Sequence, residues 1–137
     1  MNKMNPRIKK LWTDTLESDT IKQGERRLCV LDKQTNEYQF CCLGVLCEIY
    51  NSEMKRLHKK QLEITSDLYE IDDNGENKIL FSYNEECAVL PIEVQKWSGL
   101  NDDYGTYGDK CHDQSLTYQN DNGASFKEIA EIIKKEF

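Results

Sequence analysis

The feature that most constrains the fold is an uncharged run at residues 40–47, with the sequence FCCLGVLC. Eight consecutive residues without a charge must be enclosed on nearly all sides, because apolar side chains and cysteines rarely face water. We expect a strand to end near Cys41 and a helix to run from about Leu43 to Asn51. The rest of the chain should therefore pack around this segment.

Residue patterns that are typical of helix N-termini occur near both ends of the chain. Asn5 followed by Pro6 predicts a helix that ends near Ser18, since asparagine caps free amides and proline at the first position loses no hydrogen bond. Ser125 followed three residues later by Glu128 fits a capping box. An apolar stripe at helical spacing follows each start. The stripes are Ile8, Leu11, Trp12 and Leu16 in the first helix, and Phe126, Ile129, Ala130, Ile133 and Phe137 in the last.

Two β-hairpins are predicted between these helices. The first joins strands at 27–31 and 38–42 through a polar turn. The second joins 68–71 to 78–83 through a turn containing Asn74-Gly75, a pair that supplies the positive φ values of tight hairpins.

The remaining segments complete the architecture. Residues 91–98 predict a short helix that Gly99 ends, and the basic segment 52–66 is compatible with either a helix or a loop. Residues 101–113 predict a loop. Together the elements indicate a single domain over 1–137 of the α+β class, in which a small antiparallel sheet of hairpins is covered by three to four helices.

Three motifs resemble those of small hypothetical proteins encoded in the genomes of tailed bacteriophages. They are FCCLGVLCE at 40–48, LPxxVxxWxGL at 90–100 and NDxGxSFxEIA at 120–130. The resemblance covers nearly the whole chain. It implies that the hairpin region at about 52–86 is a variable insertion. It also implies a phage accessory protein that acts in the cytoplasm of the host cell, but it implies no particular activity.

The charge distribution bears on partners. The net charge of -7 would repel a phosphate backbone and argues against general nucleic-acid binding. Residues 1–60 nevertheless carry 12 Lys/Arg and 8 Asp/Glu, whereas residues 61–137 carry 6 and 17. An anionic ligand should therefore bind the N-terminal half. No apolar run approaches the roughly 20 residues of a membrane helix, so we expect no membrane contact.

The six cysteines are expected to be buried thiols, because a reducing cytoplasm disfavours disulfides. Their spacing lacks the close ligand pairs of structural zinc sites, so we predict no metal and no cofactor. A site assembled from Cys29, Cys41, Cys87 and Cys111 remains open.

Cys111 and His112 are the one pair that could act as nucleophile and base. Adjacent side chains rarely point at each other, so we predict no catalytic residue. A Cys/His or metal-dependent enzyme remains the third hypothesis for the function.

Six residues are the predicted ligand-binding set. Tyrosines in a glycine-rich loop offer stacking faces, arginines offer charge, and Asn-Asp before a helix N-terminus places anion-binding amides nearby. Combined, they predict a nucleotide-sized pocket. The residues are Arg26, Arg27, Tyr104, Tyr107, Asn120 and Asp121.

The sequence thus favours a non-catalytic phage accessory protein that neutralises a host component. The most concrete form is a sponge that sequesters an anionic, nucleotide-type immune signal. The alternative is an inhibitor that docks its acidic C-terminal half on a host defence enzyme. Whether the chain forms a homo-oligomer is left open.

Overall fold

The structure is a computed structural model that describes residues 4–71, 77–108 and 114–137. Within these ranges the fold is α+β, as predicted, with four strands and five helices. In chain order they are α1 (Pro6–Glu17), β1 (Cys29–Asp32), β2 (Glu37–Phe40), α2 (Cys42–Arg56), β3 (Ile64–Ile71), β4 (Asn77–Tyr83), α3 (Ile92–Ser98), α4 (Leu116–Asp121) and α5 (Phe126–Glu136).

The four strands form one antiparallel sheet in the order β2-β1-β4-β3. Both predicted hairpins are present, and the pairing of β1 with β4 joins them into this sheet. Cys29 lies opposite Phe40 on one side and Phe81 on the other. The predicted Asn74-Gly75 turn lies outside the described residues.

The uncharged run forms the centre of the core, as its composition predicts. Residues 41–47 are all buried, and α2 begins at Cys42, where the Sγ atom of Cys41 accepts a hydrogen bond from the amide of Gly44. The fully buried Trp12 donates from Nε1 to the carbonyl oxygen of Cys42 at 2.9 Å. Helix α1 is thereby attached to the first turn of α2.

The predicted helix ends are confirmed in detail. The side chain of Asn5 accepts hydrogen bonds from the amides of Arg7 and Ile8, and α5 begins with a complete capping box. Gly99 ends α3 in the left-handed conformation, with a φ of 86°. The buried side chains of α1 then pack against those of α5 and against α2.

Two helices differ from the prediction. Helix α2 runs past Asn51 to Arg56, so the first part of the segment 52–66, for which the sequence allowed a helix or a loop, is helical. The six-residue helix α4, which Ser115 caps, was predicted as neither helix nor strand. Six residues are too few to show an apolar period, which is why local pattern missed this helix.

Across the described ranges, the helices fall short of the length and apolarity needed to cross a bilayer.

Candidate functional site

Asn120 precedes α5, as predicted, and it lies in the last turn of the short helix α4, six residues before α5 begins at Phe126. Its side chain is buried, and Oδ1 accepts from Nε2 of Gln23 at 3.0 Å and from the amide of Cys42 at 3.1 Å. Its Nδ2 donates to the carbonyl oxygen of Gly24 at 2.8 Å. The carboxamide of Asn120 therefore holds three segments of the chain together.

The structure brings Arg26, Arg27 and Asp121 together. The carboxylate of Asp121 accepts a hydrogen bond from the amide of Arg26 at 2.7 Å. Arg26 adopts a positive φ of 70°, and its carbonyl oxygen lies 3.4 Å from Nη1 of Arg27. These contacts organise the loop before β1 through its backbone.

The first amides of α5 are largely engaged within the chain. The amide of Phe126 donates to Oε1 of Gln23 at 3.0 Å, and the amide of Glu128 donates to Oγ of Ser125 at 3.1 Å. An anion at this helix end would therefore have to replace existing hydrogen bonds.

The two predicted stacking tyrosines lie elsewhere. Tyr104 is about half exposed, and its carbonyl oxygen accepts hydrogen bonds from Thr117. The ring of Tyr107 packs edge-to-face on Phe137, with centroids 6.1 Å apart. This contact places Tyr107 at the C-terminal end of α5, about 15 Å by helix rise from the N-terminal end, where Asp121 and Arg26 lie.

The buried cysteines are poor nucleophiles. Burial raises the pKa of Cys29 to about 12 and that of Cys41 to about 11. It also raises the pKa of the Cys42 and Cys47 thiols. These four side chains are therefore protonated at neutral pH, whereas nucleophilic attack requires a thiolate. Cys111 and His112 lie outside the described residues.

In the described part of the chain, no three His, Cys, Asp or Glu side chains are grouped so that they could hold a metal ion. Cys87, which the open four-cysteine alternative included, is a free, half-buried cysteine.

A groove of about 570 Å³ runs between α1 and α2, and we call it the α1/α2 groove. The helices are antiparallel, because Arg7 at the start of α1 contacts Glu53 near the end of α2, whereas Trp12 reaches Cys42 at its start. The groove combines aliphatic side chains with four charged ones, three of which lie where α1 begins and α2 ends. Its lining residues are Arg7, Leu11, Thr15, Ile21, Val45, Glu48, Ile49, Ser52, Glu53 and Arg56.

Two arginines share one carboxylate at the end of the groove where α1 begins and α2 ends. Nη2 of Arg7 lies 2.6 Å from Oε1 of Glu53, and Nη2 of Arg56 lies 2.8 Å from Oε2. The Glu53 side chain is 11% exposed, whereas those of Arg7 and Arg56 are 61% and 59% exposed. The hydrogen bond from Arg56, followed by that from Arg7, holds the pKa of Glu53 below its usual value.

This cluster carries an excess of one positive charge, since two guanidinium groups face one carboxylate. Each guanidinium has five N–H donors, and Glu53 takes only part of them. Since both side chains are more than half exposed, the remaining donors of Arg7 and Arg56 are accessible from solvent.

A second carboxylate, that of Glu48, also lines the groove. Oε2 of Glu48 accepts a hydrogen bond of 2.8 Å from the hydroxyl of Tyr83. Tyr83 is 1% exposed, and burial raises the pKa of its phenol. Since Tyr83 remains protonated, it always donates, and this hydrogen bond fixes the orientation of the Glu48 carboxylate.

Two further grooves offer fewer unpaired positive charges to an anion. One of about 590 Å³, beside the start of α5, carries Lys22 and Lys127, which are paired with Glu37 and Asp19. The other, of about 320 Å³, lies beside α3 and is bordered by acidic side chains. None of the six sequence-predicted ligand residues lines any of these three grooves, so their binding role stays a prediction.

The α1/α2 groove was not identified from the sequence, although one signal pointed toward it. The positive charge of residues 1–60 predicted that an anion would bind the N-terminal half, and all the lining residues belong to that half. Because α2 was expected to end near Asn51, the pairing of Glu53 with Arg56 was not anticipated.

Comparison with known proteins gives one match. The model of a family described as a domain of unknown function (DUF8296) matches residues 4–137. No curated protein and no solved structure matches the chain.

Proposed function

The chain belongs to the DUF8296 family, and we propose that it binds and sequesters an anionic, nucleotide-type small molecule in the α1/α2 groove without converting it. In this proposal it is a phage accessory protein that removes a signal of the host's defence. The site differs from the one predicted from sequence, whereas the class of ligand is the same.

The observation that carries the proposal is the pair of half-exposed arginines held by Glu53. Arginine is suited to phosphate because its planar fork donates two parallel hydrogen bonds. Here Glu53 orients both forks, so less side-chain entropy is lost when an anion binds. The cluster retains a positive charge after this pairing.

The dimensions and walls of the groove support a small ligand. Its volume of about 570 Å³ falls in the range of small-molecule sites, about 300 to 1,000 Å³. Leu11, Ile21 and Ile49 are partly buried and form an aliphatic wall beside the arginines. In this proposal the base of a nucleotide lies against these side chains instead of stacking on a tyrosine.

The raised pKa values of the buried thiols support binding of a ligand without its conversion. The four cysteines of the core are protonated at neutral pH, so they offer no nucleophile to a ligand in the groove. The negative charge of Glu53 is balanced by the two arginines, and its carboxylate holds them in position. These groups are arranged to hold a ligand.

The test is calorimetry of the full chain against cyclic nucleotides, ADP-ribose derivatives and nucleoside monophosphates. We expect at least one of them to bind and to be recovered intact after heat denaturation. A cleaved product would show that the protein is an enzyme. If the whole panel fails to bind, sequestration is wrong, and inhibition of a host enzyme through the acidic C-terminal half becomes the better hypothesis.

A further inference from the structure

We infer that Glu48 binds a sugar hydroxyl, so that the α1/α2 groove selects ribonucleotides over nucleotides that lack ribose hydroxyls. This inference rests on the proposed function, and it assigns the chemistry of the second polar group in the groove. The phosphate binds at Arg7 and Arg56, and the ribose extends toward Glu48.

The placement of the charged groups sets this orientation. Glu48 and Glu53 both line the groove and are five residues apart on α2, about 7–8 Å along the helix axis and about 140° around it, so they border different sides of the groove. A phosphate beside Glu48 would be repelled by its carboxylate, whereas beside Arg7 and Arg56 it meets the excess positive charge. An anionic ligand therefore binds in one direction along the groove.

The Glu48 carboxylate can accept a further hydrogen bond from a hydroxyl. A carboxylate has two oxygens and about four lone-pair sites, and Tyr83 uses one of them at Oε2. Because the buried Tyr83 phenol stays protonated, its hydrogen bond keeps the carboxylate in one orientation before the ligand arrives. In a nucleotide, the hydroxyls between phosphate and base belong to the ribose, and they are the donors that this acceptor requires.

The aliphatic side chains near Glu48 on α2 explain why the groove would prefer a ligand with ribose hydroxyls. Val45 is buried, and Ile49 is partly buried beside it. A ligand without ribose hydroxyls would cover Glu48 in this aliphatic setting without giving it a donor. Removing a carboxylate from water without a replacement hydrogen bond is unfavourable, so such a ligand should bind more weakly.

The experiment compares three probes: adenosine 5′-monophosphate, its 2′,3′-dideoxy counterpart and inorganic pyrophosphate. With the wild-type chain we expect the ribonucleotide to bind about 10-fold more tightly than the dideoxynucleotide, which is the effect of one hydrogen bond to a charged group. Pyrophosphate has no sugar, so its affinity should depend on Arg7 and Arg56 alone.

The variants distinguish the contribution of Glu48 to this preference from the contributions of neighbouring side chains. Glu48→Gln should reduce the 10-fold preference to a few-fold, because a neutral amide accepts a weaker hydrogen bond. Glu48→Ala combined with Tyr83→Phe should abolish the preference without leaving a buried hydroxyl unpaired. Tyr83→Phe alone keeps Glu48 but removes the hydrogen bond that orients it, so it should reduce the preference without abolishing it. Glu131→Gln on α5 controls for the lost charge, since its side chain is 72% exposed. Melting temperatures verify that each variant folds.

The possible failures are distinguishable. Equal affinities of the wild-type chain for the two nucleotides, both weakened by Arg7→Ala, would overturn the role of Glu48 and leave the groove as an anion site. The same conclusion follows if the double variant keeps the wild-type preference. If none of the three probes binds, the inference fails, and the proposed function fails as well if the cyclic nucleotides and ADP-ribose derivatives also do not bind.

Discussion

The side chain of Asn120 donates a hydrogen bond from Nδ2 to the carbonyl oxygen of Gly24 at 2.8 Å, across 96 positions of sequence. The same carboxamide accepts a hydrogen bond from the amide of Cys42, the first residue of α2. One buried polar group thus joins α4, the segment before β1 and the start of the central helix. These hydrogen bonds give Asn120 a structural role, and the ligand contact that the sequence suggested stays a prediction.

Asn120→Ala should lower the free energy of unfolding by about 2 kcal/mol or more, because it leaves the buried amide of Cys42 and the carbonyl of Gly24 without their partner. Urea denaturation followed by circular dichroism measures this loss. Asn122→Ala is the matched control, since Asn122 is exposed and caps the end of the same helix. A loss no larger than that of the control would show that Asn120 is not the link described.

Gly44→Ala should be among the most damaging single substitutions. A Cβ atom at this position would overlap the carbonyl oxygen of Leu28 and lie 2.7 Å from its carbonyl carbon, and backbone atoms cannot rotate away. We expect a loss of about 3 kcal/mol or more, or failure to fold.

Gly123→Ala is a useful comparison for that substitution. Its Cβ would meet nothing within 4 Å, but the φ of 102° is unfavourable for alanine. The expected cost is about 1–2 kcal/mol, from backbone strain alone. If thermal unfolding showed Gly44→Ala to be the milder of the two, the close approach of α2 to Leu28 would be incorrect.

Stability should fall at alkaline pH. The pKa of Cys29 is raised from 9.0 to about 12, and that of Cys41 from 9.0 to about 11, by burial. Between these values the unfolded chain releases thiol protons that the folded chain keeps, so the free energy of unfolding decreases as pH rises. Below about pH 9 both states keep these protons, and the two thiols cause no pH dependence there.

Urea denaturation from pH 8 to 11 tests this expectation. Cys29→Ala removes one of the titrating thiols, so its stability should fall less steeply with pH than that of the wild-type chain, whatever its absolute value. Parallel curves would mean that the Cys29 thiol is not protected from ionisation in the folded state.

The elements that the sequence predicted correctly depend on local signals. Asn5 and Pro6 start α1, and the Ser125–Glu128 capping box starts α5, because each signal acts within one helical turn. Helix α4 was missed because its six residues are too short for an apolar period. The extension of α2 to Arg56 was left open because a run of basic residues suits an exposed helix as well as a loop.

The site was less predictable because it depends on tertiary packing. Arg7 and Glu53 are 46 positions apart, and their contact exists only because α1 and α2 are antiparallel neighbours. Charge counts indicated the half of the chain that contains the proposed groove, but they did not indicate the groove itself. Conversely, nothing local to Asn120 showed that it would be buried.

The two candidate ligand sites make opposite predictions for the arginine variants. If the ligand binds in the α1/α2 groove, Arg7→Ala and Arg56→Ala should each weaken binding by about 1.5–3 kcal/mol, the range of a hydrogen bond to a charged group. Lys10→Ala removes the same charge from an α1 side chain that is 77% exposed, and it should have little effect. Arg26→Ala and Tyr107→Ala, which alter the sequence-predicted set, should leave the affinity nearly unchanged. Calorimetry with adenosine 5′-monophosphate under constant salt compares the variants, and melting temperatures confirm folding. The reverse pattern, with Arg26→Ala weakening binding and Arg7→Ala silent, would move the site to the loop before β1 and leave the α1/α2 groove without a ligand.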